Sequence, residues 1–130
     1  MNAPTHPENW SLGWLMILAA FVSGAGLGLF FHRPDFWGGY DSLRRRMARL
    51  GHIALAALGM MNVLYGLSPW PPADTPEATR AMWGLIVGGW SMPVVCFATA
   101  WKPAFRHLFF VPVTALIMAA LVLARWEGLR

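Results

Sequence analysis

The chain of 130 residues is 57% hydrophobic and only 12% charged, less than half the charged fraction of an average soluble domain, about 25%. This composition argues against an ordinary soluble domain. The net charge of +4 and the pI near 10.2 are compatible with nucleic-acid binding, but the basic residues flank apolar stretches, a distribution typical of membrane orientation. We therefore expect no nucleic-acid partner.

The uncharged stretches of the chain are long. Charged side chains are absent from residues 9–31, 50–73, 81–101 and 107–124, and about 20 apolar residues suffice for a helix to cross a bilayer. These stretches lack the alternation of a transmembrane β-barrel. The sequence therefore predicts an all-α integral membrane protein, a single domain 1–130 folded as an antiparallel bundle of four transmembrane helices. The expected helices cover approximately 10–31, 43–68, 77–101 and 104–126.

Start and stop signals bound these helices in chain order. Pro34 ends the first helix, and Ser42 is one of two N-cap candidates for the second. The prolines within residues 69–72 end the second helix. Pro76 lies in the first turn of the third, where proline is favoured, and the fourth begins within residues 103–106.

The basic residues predict the orientation. Seven of the ten Lys and Arg residues fall on one predicted side of the membrane, and Arg80, Arg125 and Arg130 fall on the other. The seven are Arg33, Arg44, Arg45, Arg46, Arg49, Lys102 and Arg106. By the positive-inside rule, both termini face the outer side and the two basic loops face the cytoplasm of a bacterial inner membrane.

Pairs of glycines spaced by four residues occur in two helices. Gly24 and Gly28 form one pair, and Gly84 and Gly88 form the other. Such pairs allow helices to approach closely in lipid. Packing within the chain is the favoured interpretation, and dimerisation is the alternative.

Three histidines, His32, His52 and His107, fall at the predicted cytoplasmic ends of helices 1, 2 and 4. His52 lies just inside the membrane, and the residues 4, 7, 11 and 14 positions later are Ala, Gly, Val and Gly. This face has room for a haem or chlorin ring, or for a neighbouring helix. His52 and His107 are therefore candidate axial ligands of a b-type haem, and His52 alone is a candidate ligand of a chlorin magnesium. Interfacial or packed side chains are the alternative for each.

Met92 and Cys96 lie one helical turn apart, in nearly the same predicted layer as His52 and His107. Thioether, thiolate and imidazole groups suit copper, so copper handling is a further hypothesis. A small buried hydrophobic side chain is the alternative for Cys96.

Asn62 is a polar side chain near the middle of the second helix. An amide in this position needs a partner, and Thr99, Ser91 or Thr114 on neighbouring helices are the expected ones. His6, which precedes a proline in the polar N-terminus, is expected to be solvated. The four uncharged stretches contain no acidic residue, which argues against a proton-coupled transporter.

Arg44, Arg45, Arg46 and Arg49 form a basic cluster before the second span. The cluster is suited to contacts with anionic lipid headgroups or with the acidic surface of a partner. Membrane orientation alone explains it equally well.

The sequence contains no paired carboxylates, nucleophile–base pair or phosphate-binding loop of recognisable spacing. We therefore predict a protein that is not an enzyme by itself, and the sequence identifies no soluble substrate. The favoured function is a small accessory or assembly subunit of a larger membrane complex handling electrons, with other membrane-protein subunits and the lipid bilayer as partners. Haem or chlorin binding and copper handling are the alternatives.

Overall fold

The computed structural model describes residues 3–128, and side-chain surroundings are described for residues 3–125. Arg130, assigned above to the outer side, lies outside the described residues. Within them the chain forms helices and no strand. The four long helices are α1 (Pro7–Phe31), α2 (Leu43–Leu67), α3 (Pro76–Trp101) and α4 (Phe110–Gly128). Two short 3₁₀ helices cover Phe36–Gly38 and Pro103–Phe109.

Four segments are long and apolar enough to cross a membrane, which indicates an integral membrane protein. They are Pro7–Phe31, Leu43–Leu67, Pro76–Trp101 and Pro103–Arg125.

Capping residues explain where α2 and α3 begin. The hydroxyl of Ser42 accepts a hydrogen bond from the backbone N–H of Arg45 at 3.2 Å, and the hydroxyl of Thr75 accepts one from Ala78 at 3.2 Å. Each bond satisfies one of the free N–H groups of a helix N-terminus. Both helices begin and end within one residue of the expected bounds.

The other two helices differ from the expectation at their N-termini. The helix α1 begins three residues early, because Pro7 occupies the first turn, where its missing N–H costs no helical bond. The fourth span starts with the 3₁₀ segment and becomes α-helical only at Phe110. Pro112 has no N–H to donate to the carbonyl of Leu108, so the α-helical pattern lacks a bond at this junction.

Consecutive helices pack against each other. Near the start of α1, Trp10 lies against Gly66 at the end of α2, where a Cβ would come within 2.7 Å of the Trp10 nitrogen. Further along α1, a Cβ at Gly24 would come within 2.7 Å of the ring of His52. The helices α2 and α3 lie centrally. Of the most apolar 18 residues of each span, 39% are buried in α2 and 44% in α3, but only 11% in the first span and 11% in the fourth.

The two glycine pairs have different surroundings in the structure. Gly84 and Gly88 face α4, and a Cβ at either position would lie within 2.8 Å of a side chain of that helix. The prediction of packing within the chain is confirmed for this pair. Gly24 also faces a neighbour in the chain, but a Cβ at Gly28 would meet nothing within 4 Å.

Candidate functional site

The imidazole of His52 lies between α1 and α2 and is partly buried. Its Nδ1 is 3.1 Å from the hydroxyl oxygen of Ser23, and that hydroxyl donates to the carbonyl of Ala20 at 3.0 Å. A serine hydroxyl has only one hydrogen to donate. The contact with His52 therefore assigns the hydrogen to Nδ1, whose N–H donates to the Ser23 oxygen.

This assignment leaves the lone pair on Nε2 of His52. The described residues offer this nitrogen no hydrogen-bond partner, and it is not among their fully buried, unpartnered atoms. A histidine held through one ring N–H, with the other nitrogen open, is the arrangement that metal-ligating histidines adopt. Nε2 of His52 can thus donate its lone pair to a metal ion that approaches beside α1.

The other two histidines of the predicted cytoplasmic side lie elsewhere. His107 is exposed on the 3₁₀ segment Pro103–Phe109, which packs against α3, whereas His52 contacts α1. His32 is the exposed C-cap of α1. Across residues 3–125, no hydrogen bond or ring contact joins any two of these three side chains.

Cys96 is fully buried where α3 meets α2. A Cβ at Gly51 would lie 3.1 Å from the Cβ of Cys96, so the cysteine side chain packs directly against this glycine. Met92, one turn earlier, is partly buried. No group of three His, Cys, Asp or Glu side chains that could hold a metal occurs in the described part of the chain. These surroundings fit a small packed side chain.

Arg45 has a different environment from the rest of the basic cluster. Its side chain is only 3% exposed, and its guanidinium lies 4.5 Å from the centre of the Phe31 ring. The two terminal nitrogens donate to the carbonyls of Phe31, of Pro34 at 3.3 Å and of Arg33 at 3.5 Å. Arg45 therefore satisfies carbonyls that the end of α1 leaves free, and its charge is engaged within the chain.

The remaining arginines of the cluster lie at the surface. The guanidinium of Arg49 lies 4.6 Å from the centre of the Tyr40 ring. Arg44 and Arg46 are exposed, and Arg44 lines a cavity that also contacts Trp37 and Trp101.

A buried amide pair joins three helices in the opposite half of the molecule. Asn9 on α1 donates to the side-chain oxygen of Asn62 on α2 at 2.7 Å, and both are at most 1% exposed. The Asn62 amide nitrogen donates to Leu58 at 2.9 Å and to Leu85 of α3 at 3.3 Å. Asn62 thus links α1, α2 and α3.

The predicted partners of Asn62 were wrong. Ser91 and Thr114 donate to carbonyls of their own helices, and the hydroxyl of Thr99 is buried without a partner. The actual partner, Asn9, lies in the first turn of α1, just before the expected start of the first helix at residue 10.

The expectation of a solvated His6 was also wrong. Its ring is 4% exposed and stacks on Tyr65 at 4.4 Å, and the Tyr65 hydroxyl donates to Ala78 of α3 at 2.9 Å. Burial lowers the pKa of His6 from its ordinary 6.5, against the opposing effects of the Pro71 carbonyl and of Glu8. The missed signal was spacing, because His6 and Asn9 are three residues apart and so share one helix face.

No protein-family model matches the chain, and no curated protein or solved structure matches it either.

Proposed function

We propose that this protein is a non-catalytic accessory or assembly subunit of a larger electron-handling complex in a bacterial inner membrane. In this proposal the four helices span the membrane as an antiparallel bundle, with both termini on the outer side and the basic loops in the cytoplasm. The partners are other membrane-protein subunits and the surrounding lipid. The distribution of basic residues supports the orientation.

The observation that carries the proposal is the open C-terminal part of α1. A Cβ at Gly28 would meet nothing within 4 Å, and the neighbouring Leu29 is 70% exposed. Glycine in a membrane helix leaves a shallow groove, which the closely packed helix of another protein fills better than a mobile lipid chain. The internal polar groups Asn62 and Arg45, by contrast, are engaged within the chain.

The test fills this groove without disturbing the fold. Gly28→Leu adds a side chain where the chain itself has no neighbour, and Ala57→Leu adds one at an exposed position of α2 as the matched control. Both variants are expressed in the native membrane, purified gently and examined for companion subunits by mass spectrometry. We expect Gly28→Leu to lose the companion subunits and Ala57→Leu to keep them. Equal recovery in both variants, or a wild-type chain that purifies alone, contradicts the proposal.

A second candidate function is the binding of a tetrapyrrole, a haem or a chlorin, through His52. The open Nε2 and the supporting contact from Ser23 favour it. Gly28 lies one turn beyond Gly24 on the same face of α1, so the open groove adjoins the histidine. One ligand of this kind suits a five-coordinate metal, as in a chlorin magnesium, better than a bis-histidine haem.

The absorption spectrum of the gently purified protein tests this candidate. If His52 is the single ligand, His52→Ala abolishes the pigment band, His107→Ala leaves it unchanged, and Ser23→Ala shifts or weakens it. A band that also vanishes in His107→Ala supports bis-histidine ligation instead. A colourless wild-type protein rejects the tetrapyrrole and leaves the subunit proposal unaffected.

A further inference from the structure

A cavity of about 390 Å³ opens at the end of the molecule that carries the basic loops. Its walls come from the 3₁₀ turn after α1, from the first turn of α2 and from the last turns of α3. The lining residues are Trp37, Arg44, Phe97, Ala100 and Trp101.

The wall formed by Trp37 has an unusual backbone. Trp37 has φ 56°, and it is the one non-glycine residue with positive φ in the described chain. A bulky residue in this region is rare and persists where its surroundings hold it. Its ring stacks on Phe36 at 4.9 Å, and Phe36 stacks in turn on Phe30 of α1 at 5.4 Å. The aromatic stack therefore holds the strained turn in place at the cavity.

Arg44 supplies the charge of the cavity. Its guanidinium makes no hydrogen bond, ion pair or ring contact with the residues the structure describes, unlike the engaged guanidiniums of Arg45 and Arg49. The acidic residues of the same loop, Asp35 and Asp41, form no salt bridge with it either. The salt bridge found in residues 3–125 joins Glu77 and Arg80. This pair lies at the N-terminal end of α3, whereas the cavity lies at the C-terminal end. Arg44 is thus an uncompensated cation beside aromatic walls.

We propose that this cavity binds the phosphate of an anionic phospholipid headgroup. Guanidinium binds phosphate oxygens with two parallel hydrogen bonds, and tryptophans are favoured at the headgroup level of a bilayer, where Trp37 and Trp101 line the cavity. The cytoplasmic leaflet is the one rich in anionic lipids. Within the basic cluster, the proposal assigns phosphate binding to Arg44. It rests on the membrane placement in the proposed function but does not require a protein partner.

Native mass spectrometry of the purified full chain in detergent tests the proposal. Phosphatidylglycerol and phosphatidylcholine are the probes, because they share acyl chains and a phosphate but differ in net charge. The variants are R44Q and, as the matched control, R46Q, which removes the same charge from an exposed position outside the cavity. W101A opens the wall without changing the charge, and Trp101 is 83% exposed, so the fold tolerates it.

We expect wild type and R46Q to bind phosphatidylglycerol about tenfold more tightly than R44Q, the factor expected for one charge-assisted contact. W101A should weaken binding as well. Equal affinities of R44Q and R46Q overturn the site, and so does equal binding of both lipids by wild type. Inorganic phosphate that binds alone and displaces the lipid overturns the lipid assignment in favour of a free anion. These affinities are measured on the isolated chain, so they do not depend on whether companion subunits are found.

Discussion

The hydrogen bond between Asn9 and Asn62 gives the sharpest prediction about the stability of the fold. Replacing either residue by alanine breaks the 2.7 Å bond between α1 and α2. Asn62→Ala also removes the donor to the Leu85 carbonyl at 3.3 Å and so loosens α3. The side-chain oxygen of Asn9 already lacks a partner, so Asn62→Ala leaves the whole Asn9 amide buried and unpaired.

The size of the effect follows from these contacts. Hydrogen bonds between membrane helices contribute on average about 0.6 kcal/mol and at most about 1.7 kcal/mol. An amide left buried without a partner costs about 1–3 kcal/mol more. We therefore expect Asn62→Ala to lower the free energy of unfolding by about 2–4 kcal/mol and Asn9→Ala by less.

A double-mutant cycle measures the shared bond. The free energy of unfolding of wild type, the two single variants and the double variant is measured by denaturant titration in a bilayer mimic. We expect the double variant to lose less than the sum of the single losses. The difference is the shared bond, about 0.6–1.7 kcal/mol, plus the penalty of the unpaired Asn9 amide, about 1–3 kcal/mol, which the double variant no longer contains. Ser91→Ala is the control, because the Ser91 hydroxyl bonds only within α3, and its effect should stay within about 0.5 kcal/mol.

Additivity of the two single losses within about 0.3 kcal/mol would refute the reasoning, because independent sites behave in this way. A loss in Ser91→Ala as large as that in Asn62→Ala would also refute it. The stability change would then come from removing any polar group rather than from breaking contacts between helices.

Three further predictions concern the same unfolding measurement. Gly66→Ala should destabilise the protein by about 1–3 kcal/mol, because the added Cβ would lie 2.7 Å from a backbone atom of α1. Gly26→Ala has open space around it and should stabilise α1 by about 0.5–1 kcal/mol. Arg45→Met should cost about 1.5–3 kcal/mol, because the carbonyls at the end of α1 lose their charged donor, and Arg46→Met should change little. Because burial lowers the pKa of His6, the folded state favours the neutral ring, so the free energy of unfolding should fall as the pH drops below 6.5; His6→Phe should remove this dependence.

Each of these predictions has a contradicting outcome. Equal effects of alanine at the two glycines would mean that α1 and α2 do not approach as closely as the structure shows. Equal losses for the two arginine variants would remove the special role of Arg45. A pH dependence below 6.5 that is unchanged in His6→Phe would have to come from another group.

The four spans were predictable because hydropathy and capping act locally. Apolar residues that fill about 20 positions form a span whatever they later contact, and Ser42 and Thr75 set the starts of α2 and α3 through bonds to residues three positions away. The fourth span was less predictable at its start, because the absence of a backbone donor at Pro112 allows a 3₁₀ segment before the α-helix.

The partners of polar residues were predictable only in part. The need of Asn62 for a partner followed from its position in a span, but its partner Asn9 lies 53 residues away, and the choice depends on how α1 is rotated against α2. The four arginines of the basic cluster are likewise equivalent in the sequence but differ in the structure. Arg45 is a buried hydrogen-bond donor because α1 ends beside it, Arg49 contacts an aromatic ring, and the other two are exposed.

The sequence by itself thus determined the helical class, the membrane character and the approximate ends of the helices, because these depend on short-range propensity and on transfer of apolar side chains from water. Only the tertiary structure decided that Gly84 and Gly88 face a neighbour while Gly28 faces open space, and that the free nitrogen of His52 is Nε2. These properties depend on which faces of the helices meet, and helix packing in lipid is set by contacts between residues far apart in the chain.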